Sequence, residues 1–106
     1  MIAANYLRRY NYILLDHNFH SKFGELDLVM LLNNEYIFIE VKSLNINSEY
    51  SIYQSFSKQK YNRVNKTAQY WLRKHNLENS IYRIEFIGII SYLDKYYLEH
   101  FKYIDF

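Results

Sequence analysis

The stretch Gly24-Glu25-Leu26-Asp27-Leu28-Val29-Met30-Leu31-Leu32 breaks at Asn33-Asn34-Glu35 and resumes as Tyr36-Ile37-Phe38-Ile39-Glu40-Val41-Lys42. Two apolar runs rich in branched and aromatic side chains, joined by a turn-forming Asn pair, predict an antiparallel β-hairpin. Each run carries charge where a buried strand should carry none: Asp27 in the first, Glu40 and Lys42 at the end of the second. Residues two apart on a strand share a face, so Glu40 and Lys42 project together and the hairpin can bring Asp27 alongside. Two carboxylates and an amine at the rim of an apolar sheet make a candidate site for one or two divalent cations. Taken singly, Glu40 and Lys42 read as a solvated strand end and Asp27 as a turn cap. Their combination is what points to a site.

Toward the N-terminus, Ala3, Tyr6, Leu7 and Tyr10 fall at helical spacing and predict a helix from Ala3 to Tyr10. Tyr12-Ile13-Leu14-Leu15 reads as a short strand that Asp16-His17-Asn18 ends or bends. His17 and His20 stand three apart in what is read as strand or loop, which makes a weak case for metal ligation. Gly24 is one of two glycines in the chain, which suggests a backbone conformation other residues avoid.

Beyond Lys42 the character turns polar, and residues 43–51 read as a loop. A helix is expected from Ser55 or Ser57 to Lys74, with Tyr61, Val64, Ala68, Trp71 and Leu72 as its apolar stripe. Ser57 suits its N-cap and Asn76 its end. Residues 81–92 predict a central strand interrupted by Glu85 and Gly88, and 96–101 a strand returning through an Asp94-Lys95 turn. The order helix, three strands, helix, two strands indicates an α/β fold, a mixed central sheet flanked by helices.

With 106 residues, half of them hydrophobic, the chain has the makings of one domain spanning 1–106 with a real core. It has no cysteine, which excludes disulfides and thiolate metal sites and suits a reducing cytoplasm. No apolar run approaches the length of a membrane span, so a cytoplasmic protein without membrane association is expected. The net charge of +2 is small, but Lys58, Lys60, Arg63, Lys66, Arg73 and Lys74 fall in one segment with no acid among them. Such a cluster is an electrostatic footprint for phosphates, or else an ordinary solvated helix face. The 13 tyrosines read first as compositional bias and second as rings on which bases could stack.

These blocks resemble the YraN family. The match rests on Ala3-Ala4-Asn5-Tyr6-Leu7, Tyr12-Ile13-Leu14, Gly24-Glu25-Leu26-Asp27-Leu28-Val29 and Phe38-Ile39-Glu40-Val41-Lys42. It continues through Lys60 with Arg63, Ala68-Gln69-Tyr70-Trp71-Leu72, and Leu98-Glu99-His100 with Phe106. That family of small bacterial proteins falls by sequence pattern in the PD-(D/E)xK superfamily of restriction endonucleases and junction resolvases. The resemblance implies the αβββαβ core of restriction-endonuclease-like proteins and a nuclease dependent on Mg²⁺ or Mn²⁺. It aligns Asp27, Glu40 and Lys42 with the catalytic positions, and Val41 with the residue whose carbonyl assists the acids in holding metal. Lys60 and Arg63 align with basic positions of the second helix. Because many superfamily members act as dimers, it also raises a homodimer.

Three departures accompany the match. Many family members place a glutamate on the first helix, a few residues before the alanine pair, which no acid matches here. The loop after Lys42 lacks the arginine, glycine and proline often found there. The pattern Arg-Phe-Asp-Val-Val appears as Arg83-Ile84-Glu85-Phe86-Ile87.

Read from chemistry, Asp27 and Glu40 supply the one or two carboxylates that Mg²⁺ takes from protein, and Lys42 could orient a water or balance charge on phosphorus. Glu25 is a secondary candidate, as outer ligand or water holder. Lys58, Lys60, Arg63 and Lys66 are candidate contacts to the nucleic-acid backbone, which fix position without reading sequence. The expectation is therefore a metal-dependent nuclease acting on DNA, structure-dependent or nonspecific. The alternative is a nucleic-acid-binding protein with an incomplete site.

Overall fold

The structure, a computed structural model, describes residues 1–47 and 51–104; part of the expected loop (48–50) and Phe106 lie outside the described residues. Helix α1 (Ile2–Arg8) leads into strands β1 (Ile13–Ser21), β2 (Gly24–Leu32) and β3 (Glu35–Asn45). A 3₁₀ turn (Tyr53–Ser55) precedes helix α2 (Lys58–Lys74), and β4 (Tyr82–Tyr92) and β5 (Lys95–Phe101) complete the fold. The sheet order is β1-β2-β3-β4-β5, antiparallel except for β3 beside β4. Parallel neighbours need a long crossover, and α2 lies within it. This is the mixed α/β sheet with helices on its faces that the element order predicts, and it is compatible with a restriction-endonuclease-like core.

The hairpin at the centre owes its turn to Asn33 and Asn34, both at positive φ (50° and 67°). Two successive left-handed residues match the right-handed twist of the flanking strands, and asparagine tolerates that conformation. Alternation along β3 then divides the core. Phe38 packs with Val64, Ala68, Trp71, Leu72, Ile84 and Phe86 against α2, whereas Ile37 and Ile39 join Ala3, Ala4, Leu7, Met30 and Ile87 beneath α1.

The ends of α2 follow from sequence. The Ser57 hydroxyl accepts a hydrogen bond from the Lys60 amide at 3.1 Å, and Asn76 (φ 59°) turns the chain away after the last helical turn. The stripe on α2 includes a buried residue outside the apolar set, Thr67, whose hydroxyl donates to the Arg63 carbonyl. A Cβ at Gly24 (φ +145°) would approach the Thr67 oxygen to 3.3 Å, which accounts for the glycine.

Three expectations are corrected. Helix α1 ends at Arg8, and Tyr10 is exposed. Strand β1 does not stop at Asp16 but runs to Ser21, because its register shifts between Leu14 and Asp16 and Asn18 adopts φ 51°, which absorbs the bend within the strand. Strand β3 continues past Lys42 to Asn45, held there by its parallel ladder to β4.

Candidate active site

The site lies where β2 leaves β3. Their ladder runs from Leu32↔Glu35 to Leu28↔Ile39 and stops, while β2 carries on toward Gly24 paired with β1. Strict alternation also fails here. Leu26 and Val29, three apart, both face α2; so do their partners on β1, since Phe19 packs against the α2-side cluster and Asp16 accepts a hydrogen bond from the Trp71 indole at 2.9 Å. Both strands therefore change face across the Asn18–Asp27 position. The consequence falls on Asp27, which leaves the ladder: its Oδ2 accepts a hydrogen bond from the Val41 amide at 2.7 Å, replacing the strand partner that Val41 lacks on that side.

Glu40 precedes that amide and faces α2, as Phe38 does. A cleft of about 240 Å³ is lined by Gly24, Glu25, Glu40, Lys60, Arg63 and Val64. The half-buried Glu40 carboxyl is pushed up to about 7 by burial and by the neighbouring Asp27 charge, with Lys60 and Arg63 opposing. Asp27 is also raised, by burial first, against the pull of the Val41 amide; Glu25 adds to the rise and Lys60 offsets part of it. The acids and Lys60 thus share one electrostatic neighbourhood. Asp27 does not line the Glu40 cleft; it borders a cleft of about 210 Å³ on the α1 side with Asn18, Leu28 and Ile89, and reaches the Glu40 neighbourhood through its charge.

Lys42 follows two residues along β3 on the Glu40 face, in register with Gly88 of β4. It is half-buried and makes no ion pair among the described residues. Glu25 approaches His20 at 3.2 Å across the β1–β2 hairpin, with both side chains largely exposed. Of the basic positions on α2, Lys60 and Arg63 line the Glu40 cleft, Lys58 borders a different one, and Lys66 is exposed outside both. Among the described residues, no three His, Asp or Glu side chains converge as a preformed metal cage.

A cation site with a small protein share still fits these donors. Mg²⁺ keeps several waters and takes one or two carboxylates, which Asp27 and Glu40 provide, and one Asp27 oxygen is free of the Val41 bond. Both acids are raised first by burial, Glu40 next by the Asp27 charge and Asp27 in part by Glu25, a strain that a divalent cation would relieve.

A second polar cluster escaped the sequence reading. Glu85, taken there as an interruption of a strand, is fully buried on the α1 side of β4. Its Oε1 accepts from the Tyr12 hydroxyl at 2.8 Å and meets His100 Nε2 at 2.8 Å, and its Oε2 accepts from Arg83 Nε at 2.7 Å. Burial alone would raise this acid, yet the hydrogen bonds from His100, Arg83 and Tyr12 outweigh it and hold the carboxyl below its usual range. Arg83 also pairs with Glu35, and Tyr6 of α1 reaches His100 Nδ1 at 3.3 Å. The available signal was an acid, a histidine and two tyrosines with no assigned partner.

The sequence profile of an uncharacterised protein family, UPF0102, matches residues 1–89, which include Glu25, Asp27, Glu40, Lys42, Lys60 and Arg63 but not His100. The chain belongs to the UPF0102 family. A UPF0102 protein of Campylobacter lari is 40% identical over 74 residues, covering 70% of this chain and 64% of its own length. Relatives from Aliivibrio fischeri (33% over 91 residues) and Clostridium botulinum (36% over 90) each cover 84% of this chain. The chain spans 74% and 73% of those two relatives. The family resemblance drawn from the motif blocks is thus shown, while the family's name carries no activity. No helix among the described residues is long and apolar enough to cross a membrane.

Proposed function

We propose that this UPF0102 protein is a metal-dependent nuclease that hydrolyses DNA phosphodiester bonds in a structure-dependent or nonspecific way. The observation carrying the reading is the Asp27–Val41 hydrogen bond at the point where β2 and β3 part. It holds the Asp27 carboxylate close enough for its charge to raise Glu40, whose own cleft is lined by Lys60 and Arg63.

Asp27, Glu40 and the Val41 carbonyl would hold Mg²⁺ or Mn²⁺, with Glu25 in an outer position. When bound, the cation supplies Lewis acidity and a more acidic water. Lys60 and Arg63 orient the scissile phosphate by charge-assisted hydrogen bonds, which carry no sequence information. Lys42, on the Glu40 face, positions the attacking water and balances the charge that builds on the phosphoryl oxygens. Holding water and phosphate in line removes part of the orientational cost of the reaction.

The test incubates purified protein with supercoiled plasmid, single strands and a four-way junction in Mn²⁺, Mg²⁺ or EDTA. Cleavage that requires metal and disappears in Asp27→Asn and Lys42→Ala supports the nuclease. A second reading, a nucleic-acid binder with an incomplete site, draws on the lack of a converged three-ligand set among the described residues. Retarded bands without cleavage under every metal would favour it.

A further inference from the structure

Helix α2 separates two clefts. On one side lie Glu40, Lys60 and Arg63; on the other, Lys58, Tyr61, Asn62, Arg83, Lys102 and Tyr103 line a cleft of about 380 Å³ between α2 and the segment after β5. The cation inventory of this second cleft is informative. Arg83 is committed to Glu35 and Glu85, whereas Lys58 and Lys102 are exposed and make no ion pair among the described residues. Beside them, Tyr103 is 87% exposed, a large ring left in water. Two uncommitted ammonium groups and an exposed ring at the mouth of a cleft match the demands of a single nucleic-acid strand: phosphates for the lysines, a base face for the tyrosine.

The geometry adds continuity. Lys58 and Lys60 stand in the first turn of α2 and look into opposite clefts. A helix with its side chains is about 10–12 Å across, so a strand crossing that turn joins the clefts over roughly three nucleotides or more. We propose that the cleft formed by Lys58, Lys102 and Tyr103 is a second strand-binding subsite. It would take the single-stranded continuation of a nucleic acid whose backbone lies at Lys60 and Arg63. The inference rests on the Glu40 cleft receiving nucleic acid, and it narrows the preferred substrate to one with a single-stranded stretch.

Fluorescence anisotropy in EDTA tests this without any need for cleavage. A tetranucleotide and an oligothymidylate of about 15 nucleotides are titrated into wild type, Lys58→Ala/Lys102→Ala, Tyr103→Ala and Tyr103→Phe. Wild type is expected to bind the longer strand more tightly. The double lysine variant should lose about tenfold on the longer strand alone, and its log–log salt slope should shrink by about 1.4, two phosphate contacts at about 0.7 each. Tyr103→Ala should lose about fivefold or more, and Tyr103→Phe should restore binding because the ring face is kept. Wild-type affinity for the longer strand in the lysine variant, or no length dependence in wild type, overturns the subsite. The nuclease reading fails separately: length-dependent binding that needs Lys58 and Lys102, with no metal-dependent cleavage, keeps the subsite and removes the enzyme.

Discussion

The Asp27 carboxylate accepts a hydrogen bond from the Val41 amide at 2.7 Å, so the residue after Glu40 fixes the acid whose charge most raises Glu40. A side-chain acceptor stands where a neighbouring strand would have supplied a carbonyl. The opening of the β2–β3 ladder and the placing of the acid are one structural event.

Asp27→Asn separates the two roles of that side chain. The amide oxygen can still accept from Val41, so the fold should hold, with a stability change within about 1 kcal/mol. The charge is lost, and divalent-cation binding should fall by an order of magnitude or more. Thermal unfolding alongside Mn²⁺ titration calorimetry checks both halves. Unchanged Mn²⁺ affinity in Asp27→Asn would remove Asp27 from the site.

Glu40 gives a pH signature with a definite sign. Its carboxyl moves from an ordinary 4.5 to about 7 in the folded protein, burial being the larger cause and Asp27 the next. Between those values the folded state holds a proton that the unfolded state has released, so metal-free stability falls as pH rises through that window. The contribution is on the order of 2 kcal/mol, and Glu40→Gln should flatten it. Added Mn²⁺ should raise the melting temperature more at pH above the window than below it. Denaturant melts across pH, with and without metal, provide the measurement; a metal-free stability that rises over this range in wild type would contradict the assignment.

The Glu85 cluster predicts the opposite trend at lower pH. Burial disfavours its charge, but His100, Arg83 and Tyr12 hold the carboxyl below its ordinary value, so the stability it provides is present above about pH 4.5 and lost as acid protonates it. Glu85→Ala would strand three polar partners beneath α1 and should cost about 3–5 kcal/mol. Tyr12→Phe removes one hydrogen bond and should cost about 1–3 kcal/mol. Urea unfolding of both variants measures this. A Glu85→Ala loss below that of Tyr12→Phe would show that the acid does not organise the cluster.

The hairpin, both helices and the order of elements along the chain were legible because each rests on short-range chemistry: branched runs around Asn33-Asn34, the Ser57 cap, the 3–4 spacing from Tyr61 to Leu72. The shared face of Glu40 and Lys42 was legible for the same reason, since it needs only strand alternation. What alternation could not give is the change of face at Asn18 and Asp27, where the sequence has no glycine or proline to mark the irregularity. Nor could it give the Glu85 cluster, whose partners lie 73 and 15 residues away in sequence and meet only when the α1–β1 connection, β4 and β5 are assembled. Partners that distant leave no local pattern.

Gly88 ties the segment before α2 to the strand position of Lys42. It lies in register with Lys42, and a Cβ built on it would come within 2.0 Å of Ile52 Cγ1 and 3.1 Å of Ile52 Cβ. Rotating the Ile52 side chain moves Cγ1 and Cδ1, but the Cβ contact remains tight, so the segment carrying Ile52 must also shift by a few tenths of an ångström. Overpacking of this kind costs typically about 1–3 kcal/mol, so Gly88→Ala should fall near the upper end in a urea titration. Ile52→Ala in the Gly88→Ala background should recover part of the stability, since it removes the atoms that collide. Full additivity of the two losses, with no recovery, would show that Gly88 is constrained by something other than Ile52.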